Sequence, residues 1–284
     1  MLPRGRTVRD SRIGQTRAWD VFDVCIGGFG RCGRLSVVAA RRIIVAMGGG
    51  GFSMEPDNPL LDEFVLSLAR SSRPRVCFVP TASGDTDSYI MSFYRAFAAL
   101  DCRPGDLQLF DRSILDLESF IRAQDVIYVG GGNTANLLAV WRTHGIDRCL
   151  RRAWEEGVVL CGLSAGMNCW FTQSLTDSFG VSRLVPLYDG LGLLPGSSCP
   201  HYDAEAQRRP TFHKLISAGE LTDGWAADDG AALVFEGETL SEVVTSRPEA
   251  AGYRVIKTAD SQVTEQRIPT RYLGAGAALS APAG

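Results

Sequence analysis

The chain has 284 residues, of which 45% are hydrophobic and 21% charged, so it has the composition of an ordinary globular protein, long enough for one large α/β domain or two small ones. A net charge of −3 and a pI near 5.7 leave no basic footprint, which argues against nucleic acid or an anionic membrane surface as a partner. No apolar run approaches the ~18 residues of a membrane span, and no N-terminal stretch has the order of a signal peptide. Eight cysteines occur without a C-x-x-C pair or a histidine at zinc-ligand spacing, and several, such as Cys77 and Cys161, fall inside apolar runs. Reduced thiols, a cytoplasmic protein, no metal and no cofactor are the expectation. Only Lys214 and Lys257 among the 29 basic residues are lysines, a bias too general for individual arginines to be read as chosen for fork-like recognition.

Residues 1–41 are Arg-rich, lysine-free and acid-poor, without helical or alternating period, and are expected to be a disordered or non-native extension. The folded domain is expected over 42–260. The remainder, 261–284, is a C-terminal segment that becomes a flexible Ala/Gly/Ser/Pro-rich tail after Gly274.

From Ile43 the chain alternates strands and helices. The run Ile43–Met47 enters Gly48-Gly49-Gly50-Gly51, and Leu60, Leu61, Phe64, Val65 and Leu68 then recur at helical spacing. The glycine run lacks the G-x-G-x-x-G order of a dinucleotide site. A strand at Val76–Val79 follows, then an amphipathic stripe of Ile90, Phe93, Phe97 and Leu100, a strand at Leu107–Phe110, a helix near Ile114–Ile121 and a strand at Val126–Val129. This alternation predicts right-handed crossovers and a three-layer fold, a mostly parallel sheet with helices on both faces. Near the C-terminus Ala231–Phe235, Leu240–Thr245 and Tyr253–Ile256 read as antiparallel additions.

Ligands in such sheets bind beyond the carboxyl ends of strands. At one such end lies Gly130-Gly131-Gly132-Asn133-Thr134, with Asn133 placed to cap the helix Thr134–Arg142 and the glycine N–H groups placed to bind an anion or oxyanion. A further helix, Asp147–Glu156, feeds the apolar strand Val158–Leu163, which runs into Gly162-Leu163-Ser164-Ala165-Gly166. Gly-x-Ser-x-Gly between a strand and a helix is the pattern of a nucleophile elbow.

A serine hydroxyl needs a base, and the base needs an acid to hold its tautomer. Of the three histidines, His144 lies in the last turn of a helix before Gly145, and His213 sits in a helix whose apolar positions leave it facing solvent. His201, in Ser198-Cys199-Pro200-His201-Tyr202-Asp203, is the candidate base. Asp177, Asp203, Glu205, Asp228 and Asp229 are candidate acids; Asp177, between elbow and histidine, is preferred, with Asp228 next. Only 36 residues separate Ser164 from His201, too few for several βα units of ~30 residues each, which disfavours an α/β-hydrolase.

The segments Tyr128–Thr134, Gly162–Asn168 and Pro200-His201-Tyr202, in this order, resemble the peptidase E family of serine peptidases, whose fold is related to the class I glutamine amidotransferases. The resemblance covers roughly residues 43–260. It implies a Ser-His-acid peptidase acting near the N-terminus of short peptides, in some members on N-terminal aspartyl residues. By motif, Ser164 is then the nucleophile, His201 the base and Asp177 the acid, with Gly131, Gly132 and Ala165 in the oxyanion hole and Asn133 at the substrate. Aspartyl-specific members carry a carboxylate-binding arginine on a longer loop after the histidine. This chain has a shorter Asp203–Arg209 there, so Arg208 and Arg209 are the candidates for that role. A small peptide is the implied partner, and a monomer or homodimer the implied state. The alternatives are a binding protein without catalysis on the same fold and an amide hydrolase of other specificity. A cysteine-dependent amidotransferase is set aside because the elbow carries serine.

Overall fold

The computed structural model describes residues 40–180, 183–260 and 262–274; the expectations for residues 1–39 and for the tail from 275 lie outside the described residues. In chain order the strands are β1 (Ile43–Met47), β2 (Arg75–Val79), β3 (Arg103–Asp106), β4 (Val126–Val129), β5 (Val159–Leu163), β6 (Phe171–Thr176) and β7 (Val185–Leu187), followed by β8 (Leu194–Cys199), β9 (Gly224–Ala227), β10 (Ala231–Glu236), β11 (Thr239–Thr245), β12 (Gly252–Lys257), β13 (Val263–Arg267) and β14 (Thr270–Tyr272). The helices are α1 (Gly51–Met54), α2 (Leu60–Ser67), α3 (Asp87–Phe97), α4 (Leu117–Arg122), α5 (Thr134–His144), α6 (Ile146–Glu155), α7 (Ala165–Asn168) and α8 (Arg208–Ala218).

Eight strands form the main sheet in the order β14-β11-β10-β1-β5-β4-β2-β3. The run from β1 through β5, β4 and β2 to β3 is parallel, while β10 is antiparallel to β1 and β11 to β10. Both faces are covered, so β1, β4 and β5 are buried along their whole length, which is why each reads as a continuous apolar run. Alternation then sorts the side chains. Ile44, Ala46, Ile127, Val129 and Leu160 pack with Leu138 and Trp141 of α5 and Leu150 and Trp154 of α6. Ile43, Val45, Met47, Tyr128 and Cys161 pack with Leu61 and Val65 of α2 and Phe93 and Phe97 of α3.

The three-layer, mostly parallel expectation is thus met, with differences in detail. The strand expected at Leu107–Phe110 lies earlier, at β3, where Arg103 pairs with Arg75. β3 is the sheet edge, where Pro104 is tolerated because a strand with one free side does not need every N–H. The helix expected to continue past the elbow stops at Asn168, and β6 begins at Phe171. That strand opens a second sheet of six strands, β13-β12-β9-β8-β6-β7, which the sequence reading lacked. Phe171 and Trp225 of this sheet meet Phe235 of the first at 5.8 and 5.6 Å between ring centroids. Leu175 and Cys199 also belong to it and share a separate core with Phe212, Leu215 and Ile216 of α8. Residues 263–267 and 270–272, placed by the sequence in a C-terminal segment outside the 42–260 domain, are strands edging the two sheets.

One acid is folded into the apolar layer under α2. Asp62 is 2% exposed and accepts a 2.9 Å hydrogen bond from the Tyr128 hydroxyl, and burial pushes its carboxyl up to about 7. Because the folded pKa lies above the ordinary carboxyl value of 3.8, the stability this group contributes is complete below that value and is lost as pH rises toward 7. Between pH 5 and 7 the group lowers the unfolding free energy by up to about 1.4 kcal/mol per pH unit. In Asp62→Asn that part of the slope should vanish, which denaturant titrations of wild type and variant across pH 5–8 will show. Parallel pH profiles for the two proteins would exclude this role for Asp62.

Candidate active site

The elbow follows from two close approaches. Ser164 ends β5 with φ 55° and ψ −110°, a strained conformation for a residue with a Cβ. A Cβ on Gly162 would lie 2.6 Å from the Gly166 carbonyl oxygen, and one on Gly166 would lie 2.4 Å from that of Val129, so both flanking glycines are steric requirements of the turn. Among the described residues the N–H of Ala165 has no hydrogen-bond partner, and α7 begins there with its first amides free of intrahelical acceptors.

The carboxyl end of β1 gathers the rest. The Met47 carbonyl accepts the N–H of Ser164 at 3.1 Å, the Gly48 carbonyl that of His201 at 3.3 Å, and the Gly49 carbonyl that of Gly230 at 3.1 Å. Gly49 also bridges Asp229. Glycine is needed here because a Cβ on Gly48 would stand 2.3 Å from the Ala227 carbonyl oxygen, and one on Gly49 would stand 2.1 Å from Asp229 Oδ1. The glycine run that lacked a nucleotide signature is therefore a seam where β1 meets the ends of β8 and β9. Within it, His201 adopts φ 52° and its Nδ1 lies 2.6 Å from Asp229 Oδ1; both side chains are nearly buried.

Asp229, not the preferred Asp177, thus holds the histidine. Asp177 is exposed and lines a cleft of about 720 Å³ with Asn133, Ser178, Glu205 and Gln207, and it makes no contact with His201 in the hydrogen-bond network of the described residues. The reason is topological: β9 runs alongside β8, so the loop after β9 ends beside the residue that follows β8. Asp203 accepts the Asp229 N–H at 2.8 Å and in turn lies 3.6 Å from Arg247. Asp228 faces away, accepting from Ala251 N at 3.0 Å and the Tyr253 hydroxyl at 3.1 Å, and burial raises its carboxyl to about 6.

The other expected residues divide. Asn133 does cap α5, accepting from Asn136 N at 2.9 Å, and its amide nitrogen donates to Ser178 O at 2.9 Å. Gly131 lies beside the elbow, where its Cβ would be 3.4 Å from that of Ser164, but its N–H is taken by the Tyr89 hydroxyl at 3.1 Å. The next amide, of Gly132, has no partner among the described residues. Arg208 is buried, with Nε 2.8 Å from Glu205 and Nη1 3.3 Å from the Leu175 carbonyl. Arg209 lies over the adjoining Tyr202 and Tyr253 rings at 4.6 and 4.8 Å and pairs with Glu265 at 3.3 Å. Arg208 is thereby closed to a substrate carboxylate, while Arg209 already holds Glu265. His213, expected to face solvent, instead meets the Tyr202 hydroxyl and Glu265 Oε2, each at 2.9 Å. Tyr89 was missed entirely, because in sequence it is one more aromatic beside a helical stripe. Among the described residues no hydrogen bond joins Ser164 Oγ to His201, a contact that commonly tightens only when substrate is bound.

This layout defines a three-layer α/β protein with a nucleophile elbow at the end of a central parallel strand and a histidine–aspartate pair at the neighbouring one. The chain belongs to peptidase family S51, the family of peptidase E, whose sequence model matches residues 44–243. It is similar to the uncharacterized peptidase YgaJ of Bacillus subtilis (strain 168), with 53% identity over 231 residues that span 81% of this chain and 99% of that protein. It is 28% identical to the peptidase E of Shewanella denitrificans over 190 residues, 63% of this chain and 77% of the other. The crystal structure of a peptidase from an acI-B1 actinobacterium shares the fold with a TM-score of 0.61 at 17% identity, over 81% of this chain and 95% of that one. The chain is accordingly a peptidase. Among the described residues no helix is long and apolar enough to cross a membrane.

The seam at β1 makes a sharp mutational contrast. Gly48→Ala drives a methyl group into two backbone carbonyls and should lose more than roughly 2 kcal/mol of stability. Gly105→Ala, on the edge strand with nothing within 4 Å of the new methyl, should stay within about 0.5 kcal/mol of wild type in the same chemical denaturation measurement.

Proposed function

We propose that the protein is a serine peptidase that hydrolyses short peptides near their N-terminus through an acyl-enzyme. The observation that carries this reading is the 2.6 Å contact between His201 and Asp229, set by neighbouring carbonyls of one strand end beside the strained Ser164. An aspartate on Nδ1 keeps that nitrogen protonated and leaves Nε2 as the base. His201 then takes the Ser164 proton as Oγ attacks the scissile carbonyl. The tetrahedral oxyanion is met by the free N–H groups of Ala165 and Gly132, and the imidazolium that forms is stabilised by Asp229. His201 passes its proton to the leaving amine, water enters, and the same steps in reverse order release the acid product.

A Drosophila melanogaster relative named probable alpha-aspartyl dipeptidase, 29% identical over 161 residues, supports a short-peptide substrate. Arg208, buried against Glu205, and Arg209, engaged by Glu265 and two tyrosine rings, already have partners in place of an acidic first residue. A preference for N-terminal aspartate is therefore not part of this reading.

A panel of dipeptides and tripeptides with acidic, neutral and basic first residues tests it. Wild type should cleave members of the panel, and Ser164→Ala and His201→Ala should each lower kcat by about 10³-fold or more with an unchanged melting temperature. Asp229→Asn should lower kcat about 10²- to 10⁴-fold, whereas Asp177→Asn should leave kcat within several-fold. A wild type that cleaves nothing, or a Ser164→Ala variant that remains active, contradicts the proposal.

A further inference from the structure

The glycine loop after β4 brings two successive amides to the elbow, and they are not equivalent. Gly131 donates its N–H to the Tyr89 hydroxyl at 3.1 Å, while Gly132, with φ 137°, has no hydrogen-bond partner for its N–H among the described residues. Tyr89 reaches this loop from the first turn of α3 and is held firmly. Its ring lies 5.0 Å from Phe78 and 5.5 Å from Phe52, and a Cβ on Gly130 would stand 2.9 Å from its Cε1. Burial pushes its phenol above the ordinary range, so the hydroxyl stays protonated and accepts the Gly131 N–H through oxygen.

The geometry points to Tyr89 as a positioning residue of the reaction: by accepting the Gly131 N–H, it fixes the peptide planes of the glycine loop and leaves the Gly132 N–H, with that of Ala165, to meet the oxyanion. This inference rests on the serine peptidase reading. Three glycines in a row have no side chain to set the orientation of their peptides, and an oxyanion hole works only if its donors are fixed before charge develops. The hydroxyl supplies from outside the loop the constraint that the loop lacks. It does not touch the reacting atoms; its influence passes through the Gly131 peptide.

Tyr89→Phe keeps the ring and its packing and removes the hydroxyl, with its bonds to the Gly131 N–H and to the Ser53 side chain. The variant should fold with the wild-type melting temperature, lose about 10- to 100-fold in kcat and keep KM within about twofold, because the loss falls on the transition state. A peptide boronic acid, which mimics the tetrahedral adduct, should weaken by the same factor as kcat/KM, while the product peptide binds as before. The Gly131 amide proton, followed by hydrogen exchange, should be protected in wild type and exchange faster in Tyr89→Phe. An active wild type with kcat and boronate affinity unchanged in Tyr89→Phe would overturn the inference, as would an effect confined to KM. A wild type that cleaves no peptide and binds no boronate would instead overturn the parent reading, and this role with it.

Discussion

The site depends on how closely backbones approach at the end of one strand. Successive carbonyls of Met47, Gly48 and Gly49 receive the N–H groups of Ser164, His201 and Gly230, so three segments distant in sequence are registered by neighbouring peptide units. Side chains at Gly48 or Gly49 would collide with the Ala227 carbonyl or the Asp229 carboxylate at little more than 2 Å. A rigid, fully buried parallel strand is well suited to this task, because its end cannot drift without disturbing the pairing of β1 with both β5 and β10. The strain at Ser164 and His201, both at positive φ, is held by that same frame.

The second sheet supplies what the first lacks. Its strands β8 and β9 run parallel side by side, so the residues after them, His201 and Asp229, emerge together. Behind this pair lies a polar layer in which Tyr202 contacts His213 and Glu265, Arg209 stacks on Tyr202 and Tyr253, and Tyr253 binds Asp228. Tyr202 and Asp228 adjoin the histidine and the aspartate in sequence, and their bonds to His213, Glu265 and Tyr253 tie down the two loops. Arg209 belongs to this supporting layer.

Much of the fold was legible because burial leaves an unmistakable pattern. Ile43–Met47, Val126–Val129 and Val159–Leu163 are apolar throughout, since helices cover both sheet faces, and Gly162 and Gly166 announce a turn that only small residues permit. The second sheet was harder to see. Its strands, such as Leu194–Cys199 and Thr-rich β6, carry mixed residues because their environment differs along their length. Asp177 is preferred over Asp229 by position in the sequence, because the pairing of β8 with β9 that brings Asp229 to His201 is a long-range fact with no local signature. Gly131, expected in the oxyanion hole, has its N–H claimed by Tyr89, a residue of a helix whose visible stripe is Ile90, Phe93 and Phe97.

In the proposed mechanism the frame at β1 makes Ser164 a nucleophile served by His201. Reaction with a fluorophosphonate, followed by mass spectrometry of the adduct, tests this without knowledge of the substrate, because the reagent reports the activated hydroxyl itself. The account predicts a single adduct on Ser164 that forms at least about 10²-fold more slowly in His201→Ala. No adduct on Ser164, or one that forms equally fast without His201, would contradict it.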